Sequence, residues 1–304
     1  MAQINIMVLR HSAFYSPLIS AITGGFLHDE GLDPTYSVAT ADNPVLEGIA
    51  RGAVHVAQSA VATSFAALER GETPGVVHFA QINERDGFFI AGRQPEPDFT
   101  WDRLIGRRVL VDTFFQPLAM FKYAAHKMGI DFGQLDAIDV GDATAIDRAF
   151  REGQGDYVHQ QGPAPQQLEK EGIGYVVAAV GNAIGPVAFS SLCASRDWLT
   201  SDMAHAFMRA YRRARQYVID APAAEIALAQ ADYFPGIDRE VLARTITDYQ
   251  RLGCWTPEAR ISRESYDTLL EVFLHSGLIS SRHPYEAVVV DPPDEWPDSA
   301  PLAR

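Results

Sequence analysis

Apolar and polar positions alternate in short blocks along nearly the whole chain, and the period switches repeatedly between that of a strand and that of a helix. Ile4–Leu9 is β-branched and aliphatic and predicts a first strand. A helix is expected from Pro17 to the Asp29-Glu30-Gly31 break, with Ser16 as N-cap and proline at the first helical position. Thr35–Ala39 reads as a second strand, Pro44–Arg51 as a short helix capped by Asp42 or Asn43, and Ala53–Gln58 as a third strand. Val76–Ile82 and Phe88–Ala91 read as two more, separated by the polar turn 83–87. Gly92–Pro97 is the expected linker, because Pro95 and Pro97 interrupt helix and sheet alike.

Beyond that linker the alternation restarts. Strands at Arg108–Asp112, Ala137–Val140, Tyr157–Gln160, Tyr175–Val180 and Val187–Ala194 interleave with helices at Pro117–Met128, Ala143–Glu152 and Pro165–Gly172. From Ser201 onward the pattern is almost all helix, and the proline-rich tail Asp291–Arg304 is expected to be extended or disordered. This is an α/β fold with parallel central sheets. Two strand-rich blocks and a returning strand predict two lobes: residues 1–92 plus 195–290, and residues 93–194. Two hinge crossings would join them around a cleft.

Composition narrows the function. The formal net charge is −14, the wrong sign for gripping a phosphate backbone, so nucleic acid is not an expected partner. No apolar run approaches the length of a membrane-spanning helix. Cys193 and Cys254 form no C-x-x-C pair and read as two buried free thiols, with a single bridge between them as the alternative. The N-terminal residues carry no basic n-region, apolar stretch or cleavage site. The expected location is therefore cytoplasmic if Met1 is native, and periplasmic if a leader was removed.

In open sheets, ligands bind beyond the carboxyl ends of the strands, where helix N-termini present unpaired N–H groups. Four loops qualify. The first holds Arg10, His11, Ser12, Phe14 and Tyr15, which combine charge, hydrogen bonding and stacking surface. The second is Gln58 and Ser59, and the third runs from Thr113 through Phe114 and Phe115 to Gln116. The fourth is His159, Gln160 and Gln161, whose amides are costly to bury unpaired. Asp42 and Asp112 stand at the margins. Donors beside flat apolar faces suit a small planar molecule with a carboxylate, sulfonate or carbonyl group.

Catalytic signatures are missing: the chain contains no G-x-S-x-G, no phosphate loop and no H-E-x-x-H. Its histidines are dispersed. His11, His55, His78 and His159 fall near predicted strands, but their spacing predicts no metal site.

Several runs together resemble a known family. They are Phe26–Asp33, Val45–Gly52, Ala53–Ser59, Leu104–Val111, Ala194–Leu199, Tyr249–Trp255 and Gly277–Ile279. In order and spacing they are similar to the type II substrate-binding proteins of ABC transporters, in the nitrate, sulfonate, taurine and thiamine-pyrimidine-precursor group. His55 stands where that group usually has aspartate. The resemblance implies a two-lobed periplasmic-binding-protein-like fold, a small-molecule ligand in the cleft and an ABC permease as partner. It also includes enzymes. The pyrimidine-synthesising relatives use pyridoxal phosphate, but no lysine here ends a strand to hold it, so no cofactor is expected. Desulfinase-like relatives resemble Asp86–Ile90 and place a nucleophilic cysteine where this chain has Ser12, with His11 adjacent and His55 within possible reach. The alternative is thus a cytoplasmic decarboxylase, desulfinase or hydrolase acting on a small aromatic acid.

Overall fold

The computed structural model describes residues 1–295. Its ten strands are β1 (Ala2–Val8), β2 (Leu32–Val38), β3 (Val56–Ser59), β4 (Val77–Asn83), β5 (Phe88–Gly92), β6 (Arg108–Val111), β7 (Asp136–Ile138), β8 (Tyr157–Gln161), β9 (Tyr175–Ala179) and β10 (Ser190–Ala194). They form two five-stranded sheets, in the orders β2-β1-β3-β10-β4 and β7-β6-β8-β5-β9. The architecture is α/β in two lobes, as the pattern predicts.

The sheets are mixed rather than purely parallel. β1 pairs in parallel with β2 and β3, as β6 does with β7 and β8. In each lobe the fourth strand runs antiparallel: β10 between β3 and β4, and β5 between β8 and β9. These two strands follow the crossings, and each arrives from the opposite lobe.

That pairing moves both boundaries. β5 belongs to the second sheet, where Gly92 opposes Tyr157 and Tyr175, so the first crossing is 84–87 and not Gly92–Pro97. The prolines interrupt local structure, but sheet membership is decided by non-local hydrogen bonds. The return falls between Ala179 and Ser190, so β10 lies in the first sheet, ahead of residue 195. The helices at Arg239–Leu252 and Arg263–His275 touch both lobes: Asp248 accepts from Gln166 at 3.0 Å, and Glu271 accepts from Tyr123 at 2.9 Å.

Local chemistry explains most helix ends. Ser201, Asp238 and Ser262 accept main-chain N–H bonds as N-caps. Gly253 ends one helix in the left-handed region at φ 71°. Two expected caps differ. Ser12, not Ser16, starts the first helical segment, because its hydroxyl accepts from Phe14 N–H ahead of a 3₁₀ turn that runs into Ser16–Thr23. The helix at Val45–Ala50 begins at Pro44 without any side-chain cap, and Asp42 is exposed. The tail is not extended throughout: Pro293–Glu295 forms a 3₁₀ turn, and Arg212 pairs with Asp294 at 2.6 Å. The remainder of the predicted tail lies outside the described residues.

The first crossing is tightly packed. Gly87 stands against the ring of Phe14, which is fully buried, and a Cβ at that position would overlap the ring. Gly87→Ala is expected to destabilise by about 1–3 kcal/mol, the usual cost of overpacking. Chemical denaturation would check this, and an unchanged midpoint would show that Phe14 can yield.

Candidate functional site

The carboxyl ends of β1, β3, β6 and β8 converge between the lobes, and there the structure holds two adjoining cavities. The smaller, about 180 Å³, is faced by Tyr15, Phe88, Phe114, Phe115 and Phe189. The larger, about 460 Å³, is faced by His11, Ser12, Asp147, Gln160 and Gln167. Arg10 and Gln161 form part of the wall of both.

Arg10 follows β1 in one lobe and Asp112 follows β6 in the other. They meet as an ion pair at 2.8 Å, with Asp112 almost fully buried. The second Asp112 oxygen accepts from Phe114 N–H at 3.0 Å, which leaves the carboxylate engaged on both sides. The Arg10 guanidinium also lies 5.2 Å from the Phe114 ring centre, within cation–π range. Arg10 uses one of its nitrogens on Asp112, and a guanidinium carries five N–H donors. It can therefore hold an acid and the aspartate together.

Other bonds join the lobes nearby. Ser12 Oγ donates to the Gly162 carbonyl at 3.1 Å, and Gln116 Nε2 donates to the Phe189 carbonyl at 2.8 Å. Tyr15 is buried against Ser190 and Gln161. Burial raises its hydroxyl above the ordinary value, against the opposing pull of Ser190, Arg10 and Gln161. These bonds tie the two lobes together around the cleft.

Several predicted residues are engaged in this structural work. His11 Nε2–H donates to the Tyr233 carbonyl at 2.7 Å, so Nδ1 accepts from the Tyr36 hydroxyl, also at 2.7 Å. Burial holds this imidazole below its ordinary value, with the Tyr233 bond opposing. Gln58 accepts from Leu9 N–H and donates to the Ser59 carbonyl, although it faces the smaller cavity. Ser59 bonds with Thr63.

Five predicted residues border neither cavity on this geometry, Ser59 among them. Phe14 is core, packed 4.8 Å from Tyr249 and 5.4 Å from Phe189. His159 is sandwiched between Phe88 and Phe121, at 4.7 and 4.5 Å, and burial pushes it down to about 4. Thr113 and Asp42 also stand outside. The nucleophile arrangement is not assembled either. Ser12 is committed to Gly162, and His55 precedes β3, where Nδ1 accepts from Asn5 N–H at 2.8 Å at the far end of the sheet.

Sequence reasoning missed Phe88 and Phe189, which flank the two crossings, and the helix residues Asp147 and Gln167. Their nearness to the cleft follows from which strand crosses where, and no local motif signals it.

A two-lobed chain with mixed sheets, two crossings and a cleft at the strand ends has the periplasmic-binding-protein-like fold. The chain belongs to the NMT1/THI5-like family, whose model matches residues 13–225. It is 28% identical over 293 residues to YtlA of Bacillus subtilis (strain 168), whose name marks it as a candidate binding protein; the match covers 95% of this chain and 88% of that one. The fold is similar to the ligand-binding component of an ABC-type import system from Staphylococcus aureus, solved with zinc bound. That comparison has TM-score 0.75 and 14% identity, over 97% of this chain and 98% of the other. It is also similar to the alkanesulfonate-binding protein SsuA from Xanthomonas axonopodis pv. citri bound to MOPS, at TM-score 0.72 and 17% identity, covering 96% and 99%. No helix among the described residues is long and apolar enough to cross a membrane.

Proposed function

We propose that this protein is a solute-binding protein that captures a small molecule with a flat apolar body and an acidic group, and delivers it to an ABC-type importer. The observation that carries this reading is the Arg10 guanidinium at the mouth of an aromatic cavity between two lobes. The flat faces of Phe88, Phe114 and Phe189 suit a planar body, and Arg10 suits a carboxylate or sulfonate. Family membership supports a binding role, and the SsuA likeness supports an acid as one ligand class. The import component among the structural relatives supports a permease as partner, and the periplasmic aliphatic sulphonate binding protein SsuA from Escherichia coli supports a periplasmic location. The strongly negative surface does not oppose this, because distant charges are screened over about 8–10 Å.

Benzoate and benzenesulfonate are expected to raise the melting temperature, because a ligand that binds only the folded state stabilises it. Arg10→Ala should weaken benzoate by about 1.5–3 kcal/mol in calorimetry, the usual worth of a charge-assisted bond. Asp112→Asn should tighten it, since the competing carboxylate is gone while an acceptor for Phe114 N–H remains. Equal affinities in all three proteins would remove Arg10 from the site, and consumption of benzoate at catalytic protein concentrations would replace binding with turnover.

A further inference from the structure

The larger cavity holds a chemical asymmetry that the aromatic pocket does not explain. Gln160 lies at its wall, only 3% exposed, and neither Oε1 nor Nε2 of its amide has a partner among the described residues. Two more residues of the same wall carry buried oxygens without a partner: Asp147 Oδ1 and Gln167 Oε1. The charges around them are already matched, since the other Asp147 oxygen pairs with Arg151, which also pairs with Glu171. What remains is an amide NH2 with two N–H donors and three oxygen acceptors on wall residues of one cavity, on β8 and on the helices at Ala143–Arg151 and Ala164–Lys170.

Leaving buried amide atoms unpaired is costly, and native chains rarely do so without a use for them. A primary amide with both heads free is complementary to a group of its own kind, which returns one acceptor and offers N–H donors. Surplus acceptors at Asp147 and Gln167 would take the remaining N–H bonds. A carboxylate beside Gln160 would set its oxygens against the three unpartnered acceptors, and Arg10, at the junction of the two cavities, serves an acid better.

We propose that the larger cavity is a second subsite that selects ligands bearing a carboxamide-like edge, with Gln160 as the residue that reads it. This rests on the cleft being the binding site. The ligand class is then a small acid whose apolar body lies beside Arg10 and whose amide reaches toward β8.

Matched probes test it. In calorimetry, 4-carbamoylbenzoate is expected to bind at least about tenfold more tightly than benzoate, one good polar contact in a desolvated site. Terephthalate, which replaces the amide with a second acid, should lose that gain. Gln160→Leu should bring 4-carbamoylbenzoate and benzoate to the same affinity. It should also raise the melting temperature by about 2 °C, because an unsatisfied amide is replaced by an apolar group of similar size. The thermal measurement needs no ligand: a less stable Gln160→Leu protein would mean that the amide serves the fold, and would overturn the subsite. If benzoate binds but the amide brings no preference, or the preference survives Gln160→Leu, the subsite fails while the acid-binding reading stands. If no member of the panel binds, the cleft reading fails and takes the subsite with it.

Discussion

Arg215→Met is expected to lower the stability by about 4 kcal/mol and the melting temperature by about 10 °C. Arg215 is fully buried in the long helix Asp202–Asp220, and it donates to main-chain carbonyls. Nη1 donates to Ile82 at 2.8 Å and to Gln81 at 3.2 Å, and Nε donates to Thr256 at 2.5 Å. The Gln81 and Ile82 carbonyls sit where β4 ends, just ahead of the first crossing, and Thr256 follows the helix Arg239–Leu252. Methionine matches the stem but supplies no donor, so carbonyls held by a charged group lose their partner in a site without solvent. Tyr211 still donates to Gln81 at 2.8 Å, which leaves Ile82 and Thr256 as the main losses. A guanidinium melt would check this. A loss below about 1 kcal/mol would mean that the carbonyls find other partners.

The second large effect is a stability maximum near pH 6.5, with a fall on both sides. His78 is clasped between Ser64 and Ser191, and burial pushes it down to about 3; burial also holds His159 at about 4. Asp86, in the first crossing, goes the other way. Burial pushes it up to about 8, against the Phe88 N–H bond and with a further rise from Asp112. Between about pH 4 and 6.5 the unfolded chain binds the His78 and His159 protons that the folded chain refuses, and burial pulls His11, His55 and His275 in the same direction. Over the same range the folded chain keeps one Asp86 proton that the unfolded chain has lost. The unfolded state therefore holds at least one proton more, and stability rises with pH by at least about 1.4 kcal/mol per unit. Above the ordinary histidine value of 6.5 only Asp86 differs, so stability falls with pH until about 8. Asp86→Asn keeps the acceptor for Phe88 and removes the titration. It should abolish the alkaline fall and be more stable than the parent by about 5 kcal/mol at pH 7.5. Denaturation at a series of pH values would read both arms, and a fall that persists in Asp86→Asn would assign it to another group.

How much of this was legible in the sequence depended on the range of the deciding interaction. The helical character of the chain from Ser201 onward could be read, since Ser201, Asp238, Ser262 and Gly253, which bound the helices at Asp202–Asp220, Arg239–Leu252 and Arg263–His275, act on their nearest neighbours. The assignment of β5 could not be read locally. Its residues suit either sheet, and only the approach of β8 and β9 decides. The site shows the same division. Arg10, Tyr15, Gln116 and Gln161 face the smaller cavity because loops after parallel strands gather there. His159 and Gln160 are neighbours on β8, and strand alternation sends one into the aromatic core and the other to the larger cavity. Composition cannot say which goes where. Asp147 and Gln167 lie on helix faces, which the strand-end rule does not address.

The exchange of strands between lobes also sets the order in which this protein can be built. β4 joins its sheet through β10 alone, because β3 and β4 are not neighbours. A ribosome must therefore complete the entire second lobe before the first can close, and β4 waits with an unpaired edge for more than 100 residues of synthesis. At about 5–20 residues per second that wait lasts roughly 5–20 s, long enough for an uncovered strand to find a wrong partner. β4 carries Phe79, Ala80 and Ile82, all fully buried in the finished fold, where Phe79 also packs on Trp198 and Phe207. The demand on chaperones should thus peak midway through translation and begin to fall when residues 190–194 emerge to lie between β3 and β4.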